Sequence, residues 1–228
     1  WAAENTPLSS SDPAFDSGTL SPKHAGAITE YSRNMLLQSS PDVETLLRQM
    51  LARNLALAID KAAIKGGGAN EPNGVLETAG IQSLAYSTDL FHTIAEAVAL
   101  ADVANVATAR RGFLASNTIK KIASLQLDAD KLPTGVLAIF HNEPVTFSNQ
   151  VPTTLGAGAE HALIYGDWSE LLIGIWSEID LLVNPYESTA YSKGNVSIRA
   201  MATVDSAVRH PAAFVNVTGV TASSVGIA

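Results

Sequence analysis

Between Ser40 and Gly68 the chain carries one helix-forming stretch that limits the possible folds more than any other segment. Ser40 suits an N-cap, Pro41 the first helical position, and Asp42 and Glu44 put negative charge into the first turn. Val43, Leu46, Leu47, Met50, Leu51, Leu55, Ala58 and Ile59 recur at helical spacing as a broad apolar stripe. Lys61 and Lys65 fall in the last turns, and Gly66-Gly67-Gly68 stops the helix and reads as a flexible joint. A helix over 41–65 is a rod roughly 36 Å long. A rod of that length suits a spine along which the rest of the chain is arranged.

The surrounding sequence supplies enough apolar material for one sizeable core or two small ones, since 46% of the 228 residues are hydrophobic. The longest apolar run, Leu171 to Trp176, is strand-length and well short of the roughly 18 residues that suggest a bilayer span. With no cysteine, disulfides and thiolate metal sites are excluded. The formal net charge of −8 argues against direct nucleic-acid reading, which draws most of its affinity from neutralised phosphates. The basic pairs Arg110-Arg111 and Lys120-Lys121 read as solvated helix ends. The chain opens on Trp1 rather than Met, so an upstream segment is expected to have been removed.

Residues 1–22 are rich in Ser, Pro, Asp and Gly, with turn signals at Ser11-Asp12-Pro13 and Asp16-Ser17-Gly18, and read as an extended arm. Alternation over Ala25 to Tyr31 predicts a strand. After the turn at Pro72-Asn73-Gly74, the pattern predicts a helix from Asp89 to Ala109. A short strand from Gly112 to Ala115 follows, then a helix capped by Asn117 and running through Leu125. Beyond Pro133 strands are predicted at Val136–Phe140, Val145–Phe147, Ala162–Tyr165, Leu171–Trp176, Ile179–Val183 and Val196–Val208. This order predicts an α+β fold rather than a doubly wound one.

Chemistry is sparse. No HExxH, GxSxG or Walker-type lysine loop occurs, and the glycine run ends a helix instead of opening one, so it aims no helix N-terminus at an anion. His141, beside Asn142-Glu143-Pro144, reads as a hydrogen-bonded turn histidine. Glu178 and Asp180, brought to one face by strand alternation, read as solvent-facing charge. A hydrolase or transferase site would have to be assembled from His141, Glu143 and Asp167. No catalytic, cofactor-binding or metal-ligating set is expected.

Several segments in order resemble the major capsid protein family of tailed bacteriophages, whose fold is shared with encapsulin shells. Trp1-Ala2-Ala3-Glu4 and Ser11-Asp12-Pro13-Ala14-Phe15 resemble the close of the family's extended loop. Leu20-Ser21-Pro22-Lys23 through Tyr31-Ser32-Arg33 to Leu36-Leu37-Gln38-Ser39-Ser40 resembles the strand entering the spine helix. Ile64-Lys65-Gly66 to Pro72-Asn73-Gly74-Val75-Leu76 resembles its Gly-rich end. Pro144-Val145, Ser148-Asn149, Val151-Pro152, Gly166-Asp167-Trp168 and His210-Pro211-Ala212-Ala213-Phe214 follow in order.

The resemblance implies a phage major-capsid fold. Residues 1–22 would be the distal part of an extended loop that is partly missing here. Residues 23–80 and 175–228 would form a peripheral domain with the spine helix and long strands, and 81–174 an axial domain. It implies a structural, non-enzymatic subunit of an icosahedral bacteriophage or prophage head. Such a subunit self-assembles into pentamers and hexamers that enclose double-stranded DNA without sequence-specific contact. An encapsulin-type nanocompartment shell is the alternative. Scaffold, protease, portal and decoration proteins are the further partners implied, with no membrane and no cofactor. The protein would reside in the virion after assembly in the bacterial cytoplasm. Trp1, Glu4, Pro13 and Phe15 would make intersubunit contacts. Some members of that family form an isopeptide between a loop lysine and an asparagine of a neighbour, promoted by a buried glutamate. The resemblance places the asparagine at Gly194 or Asn195 and the glutamate at Met201, which cannot act as a base. Residues 1–22 also hold no lysine, so no self-cross-linking is expected.

Overall fold

The computed structural model describes residues 18–38, 43–67, 69–87, 89–107, 109–127 and 132–223. In chain order its first elements are β1 (Lys23–Ser32), α1 (Arg33–Gln38), α2 (Val43–Lys65), β2 (Gln82–Ala85), α3 (Leu90–Val103), β3 (Arg111–Ala115) and α4 (Asn117–Leu125). They are followed by α5 (Val136–Ile139), β4 (Val145–Phe147), β5 (Leu163–Asp167), β6 (Leu171–Asn184), α6 (Ser188–Tyr191), β7 (Asn195–Val208) and β8 (Phe214–Thr218). Helices and strands contribute comparably, as an α+β fold requires.

The spine is one unbroken helix: α2 runs 23 residues. The cap and first turn expected at Ser40, Pro41 and Asp42 lie outside the described residues. Glu44 in the first turn and Lys65 in the last complement the helix dipole. Arg48 reaches back to Glu44 at 2.6 Å, a pair one turn apart. One face of α2 lies on an antiparallel three-stranded sheet ordered β1-β7-β6. Leu51 and Leu55 of α2 pack on Tyr31 of β1 and on Ile198, Ala200 and Ala202 of β7, with Leu47 and Ile59 at the margin. The two alanines put little side chain between helix and strand, so the spine can lie close along β7.

The separate strands expected at Leu171–Trp176 and Ile179–Val183 are one strand, β6, paired with β7 throughout. Register shifts between Ile175 and Ser177 and between Ser177 and Asp180 absorb extra residues without ending it. Bulges break the period-two pattern, and in sequence that break looks like a strand end.

A second, mixed sheet has the order β2-β8-β5-β3-β4, with β2–β8 and β3–β4 parallel. Side chains alternate across it. Phe113, Leu163, Tyr165, Val215 and Val217 face Leu90, Ile94, Ala97, Ile119, Ile122 and Phe140 of the flanking helices. Ile164 and Phe214 point the other way and join Ile64 at the end of α2, Val75, Val106, Val151 and Ala213. That second cluster couples the spine to the mixed sheet. Phe214–Thr218 belongs to this sheet, bonded to β2 and β5 rather than to the long strands.

Three local expectations are corrected. The helix predicted to Ala109 ends at Val103, where Asn105 adopts a left-handed backbone (φ 53°). The Val106 N–H then closes back onto the Ala101 carbonyl at 3.3 Å, a Schellman-type stop. Asn117 is the first helical residue of α4, and extended Ser116 occupies the cap. Val136–Ile139 is helical, not a strand, with Phe140 as its cap: Ile139 and Phe140 are buried while Leu137 and Ala138 are exposed, a spacing that a five-residue apolar run cannot reveal.

Asp89 caps α3 by accepting the His92 N–H at 2.7 Å. Burial pushes its carboxyl up, yet the hydrogen bonds and charge of His92 more than offset this and hold it below the usual carboxylate range. Asp89→Ala is expected to cost about 1 kcal/mol in urea unfolding, the usual loss of a helix N-cap.

Candidate assembly surfaces

The residues from which a catalytic site would have to be built are each engaged in their own turn. His141 has a left-handed backbone (φ 52°), donates from Nε2 to the Phe91 carbonyl at 3.2 Å and stacks on the Phe91 ring at 4.3 Å. The Glu143 N–H closes onto the Phe140 carbonyl at 2.9 Å. Asp167 is buried and accepts the Ser169 N–H and hydroxyl at 2.9 and 2.7 Å, capping a 3-10 turn. Among the described residues no hydrogen bond joins any two of these three. No described group of three or more His, Asp or Glu is placed to hold a metal ion. No described helix is long and apolar enough to cross a membrane.

The basic pairs behave differently from each other. Lys120 and Lys121 are exposed on α4, with Lys120 Nζ 5.5 Å from the Phe147 ring centre. Arg111, expected at a solvated helix end, is buried and clamps the end of α3. Glu178 and Asp180 are exposed on the bulged part of β6.

Where β6 begins and β7 ends, Arg209 grips Glu170 with two hydrogen bonds of 2.7 and 2.8 Å, and its backbone N–H donates to the Glu170 carbonyl at 2.8 Å. The Arg209 hydrogen bond and charge hold the Glu170 carboxyl below the ordinary glutamate range. A carboxyl depressed by folding contributes stability above its unfolded pKa, about 4.3 for glutamate, and loses it as pH falls through the folded value. Glu170→Gln is therefore expected to flatten the fall in melting temperature below about pH 4.3 while leaving its slope at neutral pH unchanged.

Several large apolar side chains are exposed to solvent. On the sheet face turned away from α2, Ile28, Arg199 and Leu182 lie side by side across the three strands, with Ile28 63% and Leu182 48% exposed. They border a groove of about 520 Å³ that also takes in Tyr186, Glu187 and Ser197. Ile173, Ile175 and Trp176 are exposed along β6, and Leu125, Leu127, Leu132 and Leu137 on α4, α5 and the connection between them. Exposed apolar groups gathered in patches mark surfaces that another molecule covers. The expected contact residues Trp1, Glu4, Pro13 and Phe15 lie outside the described residues.

The profile of the Phage capsid family matches residues 1–219. The chain belongs to that family. Its sequence is 27% identical over 221 residues to the major capsid protein of Halomonas phage phiHAP-1, covering 94% of this chain and 35% of that protein. This family member thus spans about a third of that relative's length. Its fold matches the capsid of an empty GTA particle computed with C5 symmetry (TM-score 0.74, 21% identity, 96% of this chain and 79% of that one). It also matches a structure from Gordonia phage Cozz (TM-score 0.70, 17% identity, 93% and 78% of the two chains).

Proposed function

We propose that the chain is a shell-forming structural subunit of an icosahedral bacteriophage or prophage head. Copies associate into pentamers and hexamers around double-stranded DNA, and the product resides in the virion after assembly in the bacterial cytoplasm. The observation that carries this reading is the family match over residues 1–219, reinforced by a fold shared with assembled capsids. The phage source of the phiHAP-1 relative and of the Gordonia phage Cozz structure supports a DNA-filled head over a nanocompartment. Ring-forming subunits need different patches that meet head to tail, plus contacts between rings. The apolar residues exposed on the three-stranded sheet, and those exposed on α4, α5 and their connection, suit those two kinds of contact.

The same reading divides the chain in two. The peripheral domain comprises α2 with β1, β6 and β7, and the axial domain is built on the mixed sheet. The pairing of Phe214–Thr218 with β2 and β5 supports moving that stretch from the peripheral to the axial domain. Residues 1–22 act as an arm that ties one copy to another, with Trp1, Glu4, Pro13 and Phe15 in the contact. Electron microscopy of the full-length protein coexpressed with its neighbouring genes is the test. Closed shells are the expected result, and dispersed subunits at every concentration would refute the proposal.

Such shells are expected to run as a single monomer band on denaturing gels. Met201, paired with Gly26 and Asp180, carries no proton acceptor, and Asn195 donates its amide to Glu30 at 2.6 Å. A covalent ladder would contradict this.

A further inference from the structure

Just before β1 the chain does not hang free. The Ser21 N–H donates to the Asp205 carboxylate at 2.7 Å, and Asp205, on β7, is only 6% exposed. The other oxygen of Asp205 accepts the Ser206 N–H at 2.9 Å, so the carboxylate is fixed before it meets Ser21. One residue earlier, Leu20 lies over β6: a Cβ added at Gly174 would sit 3.1 Å from its Cδ1 and 3.3 Å from the Trp176 ring. Two residues later, Lys23 is already paired with Val204, and its ammonium donates to the Glu71 carbonyl at 3.0 Å.

The order of these contacts gives a direction. Asp205 pairs with Gly174, and odd-numbered β7 residues face away from α2, because Ile198, Ala200 and Ala202 face towards it. Going back along the chain, Lys23 lies in β1, Ser21 sits over β7 and Leu20 over β6, in a sheet ordered β1-β7-β6. The segment therefore crosses the outer face of the sheet from the β1 edge to the β6 edge. It leaves beside Trp176, whose ring also lies over Gly174 and is half exposed.

We propose that Asp205 and Gly174 form a clasp that fixes the root of the arm and aims it past the β6 edge, so that the copy bordering β6 receives it. Asp205 is a positioning residue for assembly: it supplies a buried, pre-oriented acceptor. Gly174 leaves the space in which Leu20 seats. The consequence for assembly rests on the arm reading above. The clasp itself does not.

The two parts can be tested separately. Asp205→Ala removes the acceptor, whereas Asp205→Asn keeps an oxygen able to accept the Ser21 N–H. In the free subunit, limited proteolysis mapped by mass should show cleavage between residues 16 and 22 about tenfold faster in Asp205→Ala. A tenfold change in the open population is what losing a hydrogen bond to a charged group produces when opening is fast relative to cutting. Asp205→Asn should stay near the wild-type rate. Gly174→Val fills the Leu20 seat without touching the carboxylate and should release the root as Asp205→Ala does, which keeps the proposal testable should the alanine variant not fold. Unchanged cleavage in both Asp205→Ala and Gly174→Val, or equal acceleration in Asn and Ala, overturns the clasp. In assembly of the same variants by sedimentation, a loss of shells that tracks cleavage is expected. Full shell yield from a released arm would leave the clasp standing and overturn its role in assembly.

Discussion

Gly66→Ala is expected to destabilise the subunit by at least about 3 kcal/mol, at the upper end of what overpacking costs, and to strip most of it from the soluble fraction. Its neighbour provides the control: Gly67→Ala should stay within about 1 kcal/mol of wild type. A Cβ at Gly66 would lie 1.9 Å from the Pro72 carbonyl oxygen and 2.7 Å from that of Ala62. At Gly67 it would approach only the Glu71 carboxylate, at 3.3 Å, the movable end of a side chain. Propensity alone points the other way, since alanine is favoured over glycine near a helix by about 1 kcal/mol. Sterics win because the obstacles are backbone atoms pinned from several sides. The Gly74 N–H donates to the Gly66 carbonyl at 3.1 Å, and a Cβ at Gly74 would meet the Gly66 nitrogen at 2.4 Å. The Ser206 hydroxyl holds the Asn73 carbonyl at 3.1 Å, and Lys23 holds that of Glu71. The stretch expected to be a flexible joint is thus, at Gly66 and Gly74, a close backbone crossing that locks the end of the spine to β1 and β7. Thermal melts of the two alanine variants separate the ideas: equal melting temperatures would mean a loose joint.

The spine was legible because several local signals agree over residues 43–65: an acidic first turn, an apolar stripe, a basic last turn and a glycine stop. Strands β1, β4, β5 and β7 were legible from alternation or β-branched runs, and β3 as a short apolar run before the Ser116-Asn117 turn signal. Gln82–Ala85 was not, since Gln-Ser-Leu-Ala has little strand preference and becomes β2 only by pairing with Val215–Thr218. That pairing joins residues far apart in sequence, which no local window can register. The outer patches were hidden for another reason. Ile28, Trp176 and Leu182 look like any inward-facing strand residues, and only the three-dimensional arrangement shows that they point to solvent. The turn residues around Gly66 and Gly74 were visible as punctuation, but their mutual contact was not. Arg111 was misread because a basic pair next to a helix end is ordinarily solvated.

That buried arginine carries the other large effect: Arg111→Met is expected to lower unfolding free energy by about 3 kcal/mol, the order of loss when two carbonyls at a largely buried site are left without partners. Its guanidinium spans the turn that ends α3, donating from Nε to the Ala107 carbonyl at 3.0 Å and from its two terminal nitrogens to the Val106 carbonyl and the Asp102 carboxylate. Val106 and Ala107 lie in the loop just beyond α3, and here one planar side chain serves both of their carbonyls. Asp102 is exposed enough, at 57% of its side chain, to be rehydrated when the arginine goes, so most of the cost falls on the stranded carbonyls. The nearby Tyr165 hydroxyl, its pKa raised chiefly by burial, is no better served by methionine. Arg111→Lys should recover less than half of the loss, because an ammonium cannot reproduce the fork that reaches three acceptors at once. Asp102→Asn should cost less than Arg111→Met, since both carbonyl contacts survive. Urea midpoints give the ranking, and hydrogen exchange should place the damage at Ala101–Ala107 before the rest of the mixed sheet opens. If Arg111→Met melted with the wild type and Asp102→Asn did not, the guanidinium would be serving the carboxylate alone, and the end of α3 would owe its stop to Asn105.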